Sequence, residues 1–143
     1  MIAIARGFLL CAVLWASGAA AQSNAVSQAD ARAIQSTIEA QLQAFAQDDA
    51  GAAFAFATEA IRQRFGSAEH FMKMVRLHYP AVYRPASVAF HDPEQVGGET
   101  VQVVQFTDHE FRVWLAVYRM QRQSDNSWRI NGCVMQGVDG SST

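Results

Sequence analysis

The hydrophobic pattern of this chain changes period once. In the first half, Ile34, Ile38, Leu42 and Phe45 recur at spacings of four, four and three, which puts them on one face of a helix. Ser27 stands before this run as an N-cap, with Asp30 three residues on. The segment Asp48-Asp49-Ala50-Gly51 breaks the helix and offers Asp48 or Asp49 as the next N-cap. Phe54, Ala57, Ile61 and Phe65 predict a second helix, stopped by Gly66. Ser67 opens a third, with Phe71, Met74, Val75 and Tyr79 facing inward, and Pro80 ends it.

After Pro85 the period falls to two. Val88 and Phe90 alternate with Ala89 and His91, and Gly97-Gly98 reads as a hairpin turn. A second strand is expected near Thr100 to Phe106, a third and longest from Phe111 to Arg122, and a fourth from Trp128 to Gln136. Three helices followed by four strands is an α+β order. The short turns predict an antiparallel meander sheet. In the third strand Phe111, Val113, Leu115 and Val117 point one way, and Trp114, Ala116, Tyr118 and Met120 the other. A strand apolar on both sides has both sides covered. The helices cover one face. For the other we expect a second copy, in a homodimer through the outer sheet face, with a terminal segment as the alternative.

The N-terminus changes the picture of where this domain works. Arg6 precedes an apolar run from Phe8 to Trp15, and small residues end at Ala19-Ala20-Ala21. That is the order of a cleavable signal peptide, with an apolar run short of the ~20 residues a membrane span needs. The expected division is residues 1–21 as signal peptide, 22–137 as one domain and 138–143 as a flexible tail. The mature chain is then exported, periplasmic or secreted, and free of the membrane. An uncleaved anchor is the alternative. Cys11 lies inside the apolar run, which argues against lipid attachment there. With Arg6 removed from the 11 basic residues, the 13 acidic ones leave a charge of about −3. No basic cluster points to nucleic acid. Cys133 alone survives cleavage, so no internal disulfide is possible. It reads as a small buried hydrophobe, against an intermolecular disulfide or a reactive thiol.

The segment QLQAFAQDDAGAAFAFA, the long central strand and the closing SWRINGC resemble the nuclear transport factor 2-like superfamily, a cystatin-like fold. Within it, FMKMVRLHYPAVYRPASVAF, LAVYRMQR and SWRINGCV resemble the bacterial family catalogued as domain of unknown function 4864, from about Ala33 to Val134. The superfamily resemblance implies a cone-shaped α+β domain with a cavity between curved sheet and helices. Its members include ketosteroid isomerase, polyketide cyclases, dehydratases and non-enzymatic binding or dimerising modules, so the fold implies no single activity.

Enzymes of that fold set a carboxylate in the cavity as general base. The three long strand segments here contain no acidic residue. On the helices, rotation puts Glu39 about 100°, Glu59 about 160° and Glu69 about 120° from the apolar stripes. Asp92, after the first strand, is left as a weak candidate, with His78 as a dyad partner. The structural alternative for His78 is a semi-buried residue at a helix C-terminus. His70, His91 and His109 are isolated, and no metal or cofactor is expected. No G-x-S-x-G elbow or phosphate loop occurs.

The segment from Leu77 to Phe90 remains. Pro80 and Pro85 read as pins of an extended connector, either a rigid corner or the aromatic rim of a ligand mouth with Arg84 facing an anionic or carbonyl group. The candidate pocket is His78, Tyr79, Tyr83, Arg84, Trp114, Tyr118 and Trp128. Tyr83 and Tyr118 are its expected polar groups, with Arg119 and Arg122 on the outer face or rim. We therefore expect an exported domain that binds a small apolar or amphipathic ligand without catalysis. A structural or dimerising module with a self-filled core, and a small lyase or isomerase, are the alternatives.

Overall fold

The computed structural model describes residues 25–138. The expected signal peptide, with Cys11, lies outside the described residues, as do the residues beyond Val138. Among the described residues the order is α1 (Gln28–Ala46), α2 (Ala50–Ala55), α3 (Glu59–Phe65), α4 (Ala68–His78) and α5 (Pro80–Tyr83). Then come β1 (Ser87–Phe90), β2 (Glu94–Val96), β3 (Glu99–Thr107), β4 (Val113–Arg122) and β5 (Trp128–Gly137). The protein is α+β, and the described residues form five helices and one five-stranded antiparallel open sheet in place of three helices and four strands. No helix among the described residues is long and apolar enough to cross a membrane.

The start signals act where polar side chains can take up free helical N–H groups. Ser27, Asp49 and Ser67 cap α1, α2 and α4. Gly66 closes α3 at φ +77°, a conformation open to glycine. Two differences have local causes. The helix expected across Phe54–Phe65 is broken at Phe56–Thr58, because this backbone bonds to the sheet. Thr58 N–H donates to the Ile130 carbonyl at 2.9 Å and Ile130 N–H to the Phe56 carbonyl at 2.9 Å. The Thr58 hydroxyl then caps α3 by accepting from Ile61 N–H at 3.4 Å, and donates to Asn131 Oδ1 at 2.8 Å. The expected extended connector is helical instead: Pro80 ends α4 and begins α5, since proline's fixed φ suits a first helical turn.

The sheet order is β1-β3-β4-β5, and β2 pairs with the same edge of β3 beyond β1. Pro93 has no N–H to give and lies in the gap between β1 and β2. The buried Gln102 amide donates to the His91 carbonyl at that gap, at 2.5 Å. The third strand starts two residues later than expected, because Phe111 sits at φ +64° in the turn and is 88% exposed. It is 10 residues long, the same as β5.

The inner face carries Val104 and Phe106 from β3, Ala116, Tyr118 and Met120 from β4, and Ile130 from β5. Ile34, Ile38 and Phe45 of α1 and Phe71 and Val75 of α4 pack onto it. Phe71 lies at the centre of an aromatic group, 5.5 Å from Phe54, 5.5 Å from Phe65 and 6.1 Å from Phe45. On β5 one extra residue, Asn131, shifts the register, so that Met120 faces Ile130 while Tyr118 faces Cys133. This bulge puts Ile130 and Cys133, three apart, on the same inner face, which a regular strand forbids. Among the described residues no helix covers the outer face: Val103, Val117 and Val134 form a row across three strands, and Val134 is 60% exposed.

Thr58 joins two layers through one hydroxyl. Thr58→Ala is expected to cost about 1–2 kcal/mol in urea denaturation, the range of a lost N-cap; a cost below a few tenths would mean that the backbone pair alone holds this junction.

Candidate functional site

The connector that looked like a ligand rim is a corner tied to the end of α1. Asp48, at φ +54°, is exposed and accepts from the Tyr83 hydroxyl, from Arg76 Nη2 at 3.1 Å and from Arg84 Nη2 at 3.2 Å. The Tyr83 bond first, and then the two guanidiniums, hold the Asp48 carboxyl below its ordinary value against the opposing effect of desolvation. Arg84 Nη1 also caps α1, donating to the Phe45 carbonyl at 2.7 Å, and its guanidinium lies 4.0 Å from the Tyr83 ring centre. Asp48 is thus not a helix cap but the acceptor of this latch. Both Arg84 Nη groups are engaged by protein acceptors.

His78, Arg84 and Trp114 meet in a cleft of about 300 Å³, between the end of α4 and the β3–β4 turn. His78 is exposed rather than semi-buried. The same cleft holds Asp108, a buried carboxylate in the β3–β4 turn that no sequence motif marks. Asp108 accepts from Glu110 N–H at 2.9 Å, Arg112 N–H at 3.0 Å, Arg112 Nε at 2.8 Å and Trp114 Nε1 at 3.1 Å. Burial alone would raise its pKa. The Trp114 and Arg112 bonds outweigh burial and bring it down to about 2. A carboxylate with four donors and so low a pKa is a strut for the hairpin and a poor base.

The second cavity, about 260 Å³, lies under α3 and α4 against β4 and β5. Tyr79 and Tyr118 reach it, together with Phe45, Phe71, Val75 and Ile130, and no acidic residue lines it. Tyr118 is 1% exposed, and its hydroxyl has no hydrogen-bond partner among the described residues. Burial, and then the facing Cys133, push its pKa well up. Burial likewise pushes the Cys133 thiol up to about 12 and raises Tyr79, whose hydroxyl donates to the Cys133 carbonyl at 3.4 Å. All three groups are neutral at ordinary pH. Gln41 is also buried here, with its amide donating to the Ala53 carbonyl at 3.0 Å.

The other candidates fall outside both spaces. Trp128 borders a polar groove near Asp30, where its indole N–H donates to Asp30 Oδ1 at 3.4 Å and Arg122 lies 4.8 Å from its ring. Asp92 is exposed and lines none of these three cavities, so a dyad with His78 is not assembled. Tyr83 lines none of them either. Glu39, Glu59 and Glu69 are all exposed, on the side the helical rotation gives them. Among the described residues no three His, Cys, Asp or Glu side chains cluster as a metal site would require.

The model of one protein family, described as Domain of unknown function (DUF4864), matches residues 27–143. No curated protein matches the chain.

Two outcomes follow from the charge states. Asp108 is lowered from 3.8 to about 2, so its contribution to stability is present above 3.8 and is lost as pH falls towards 2. Asp108→Asn should lower the melting temperature near neutral pH and flatten the acid limb of the melting curve between those values; an unchanged limb would contradict the strut. Cys133 should resist a thiol reagent at about pH 8 until the chain is unfolded, since the thiolate is the reactive form. Labelling in the native state as fast as in urea would contradict a thiol pKa raised to about 12.

Proposed function

The chain belongs to the DUF4864 family, and on that premise we propose that it is an exported, non-catalytic domain that holds a small amphipathic ligand beneath α3 and α4. The observation that carries this reading is the cavity of about 260 Å³ itself, lined mostly by apolar and aromatic side chains and by no acidic residue. Its polar groups Tyr79, Tyr118 and Cys133 are neutral, the charged side chains of its lining are Arg64 and Arg119, and none is a carboxylate. This favours binding over proton transfer.

We read the architecture as the cone of the nuclear transport factor 2-like superfamily. Supporting this are helices on one sheet face only, a bulged edge strand and a cavity between the two layers. Export rests on the charged, apolar and small-residue order of residues 1–21, with a mature domain from residue 22. The uncovered row Val103–Val117–Val134, flanked by Leu115 and Val101, supports a homodimer through the outer sheet face. A module whose core fills itself is disfavoured by the open cavity under α3.

Native mass spectrometry of protein purified from its own periplasm tests the reading. A small-molecule mass that leaves on denaturation is expected; bare protein in every preparation, together with no uptake of added amphipaths, would refute it. The dimer has a separate test. Val117→Asp should turn a dimer into a folded monomer in sedimentation velocity, whereas a wild-type chain that sediments as a monomer at all concentrations would exclude the interface.

A further inference from the structure

We propose that the cavity beneath α3 and α4 takes a neutral alcohol with an apolar body, whose hydroxyl donates its proton to the side-chain Oε1 of Gln41. The inference rests on the binding reading above and gives its ligand a chemical class.

Gln41 stands where an apolar side chain is expected. Ile34, Ile38, Gln41 and Phe45 follow one another at spacings of four, three and four, and all four are buried, Gln41 at 3% exposure. They form the core-facing stripe of α1, whereas Leu42, the next residue, is half-buried. A carboxamide in such a place costs free energy unless its N–H and C=O groups find partners. A leucine would carry no such cost.

One end of the amide has its partner. Nε2 donates to the Ala53 carbonyl at 3.0 Å. Ala53 is fully enclosed and lies in the last four residues of α2, where a helix leaves its carbonyls without an intrahelical donor. This bond also settles how the amide is turned, because an oxygen in place of Nε2 would face the carbonyl with no proton between them. The other end is spare. Oε1 accepts from no donor among the described residues, and unlike the Tyr118 hydroxyl it is not closed off by protein. Gln41 lines the cavity, so this oxygen opens into it.

The rest of the lining narrows the ligand. The Tyr79 hydroxyl has one proton and gives it to the Cys133 carbonyl at 3.4 Å. The Tyr118 hydroxyl is enclosed, and a thiol such as that of Cys133 is a weak donor. What a ligand meets inside is therefore the acceptor on Gln41, and the group that suits it is a donor. An ammonium also donates, but no acidic residue lines the cavity to balance its charge, and Arg64 and Arg119 at the exposed end carry the same sign. A carboxylate has no proton to give at neutral pH. A neutral hydroxyl gives the proton and brings no charge into the buried space.

Titration of the mature chain with 1-octanol, 1-fluorooctane and octylammonium tests this. Fluorine is close to a hydroxyl in size and has no proton to donate. The quantity read is the affinity for 1-octanol divided by that for 1-fluorooctane, in the wild type and in Gln41→Met, which keeps the length of the side chain. We expect this ratio to fall about fivefold in the variant, the worth of one neutral hydrogen bond. We expect 1-fluorooctane to bind both chains alike and octylammonium to bind neither. A second reading uses the wild type alone: the side-chain amide NMR signal of Gln41 should move further on saturation with 1-octanol than with 1-fluorooctane. An unchanged ratio in a folded variant, or equal movement of the amide signal with both probes, overturns the role of Gln41 while cavity binding stands. Octylammonium binding as tightly as 1-octanol overturns the neutral class. If none of the three binds, the binding reading fails with it.

Discussion

Two backbone hydrogen bonds decide where the helical layer can sit. Ile130 gives its N–H to Phe56 and receives the N–H of Thr58, both at 2.9 Å. This hangs the α2–α3 junction on the edge of β5 instead of laying one continuous helix across the sheet. It also occupies part of an edge strand that would otherwise offer unpaired backbone to another chain. The Phe54, Phe65 and Phe71 rings fill the space nearest the junction. What they leave open lies over Tyr118 and Cys133, two residues that the bulge at Asn131 holds face to face.

The chemistry of the two cavities differs because their hydrogen bonding differs. In the cleft by the β3–β4 turn, Asp108 is buried yet ionised, since four donors surround it and outweigh desolvation. Beneath α3, Tyr79, Tyr118 and Cys133 are neutral, and the charged side chains of the lining are Arg64 and Arg119, with no carboxylate among them. General acid–base catalysis needs a group whose pKa is near the working pH. Asp108 sits far below that range and Cys133 far above it.

Much of this fold is legible in residue order, and the exceptions share a cause. Ser27, Asp49, Gly66 and Ser67 act within four residues of where they stand, so capping chemistry reveals them. The break at Phe56–Thr58, the bulge at Asn131 and the pairing of Glu94–Val96 with β3 depend on backbone partners distant in sequence, and period alone cannot show these. Thr58 was the one local signal available, a capping residue inside an apolar run. The site is legible in part. Tyr118 follows from strand alternation, because β4 keeps its register up to that residue. Tyr83 and Arg84 do not, because an arginine among aromatics reads equally as a ligand clamp or as a helix cap until Asp48 and the Phe45 carbonyl are seen beside it. Asp108 was hidden because turn acids are common, and only its neighbours make this one buried.

The most direct measurement is the urea stability of ligand-free Tyr118→Phe against the ligand-free wild type. A hydroxyl with no partner in the fold leaves the variant equally stable, or more stable by up to about 3 kcal/mol, once that atom is gone. A variant less stable by about 1 kcal/mol or more, the worth of an ordinary hydrogen bond, would show that the chain already satisfies Tyr118, through the Cys133 sulfur that the bulge sets opposite it.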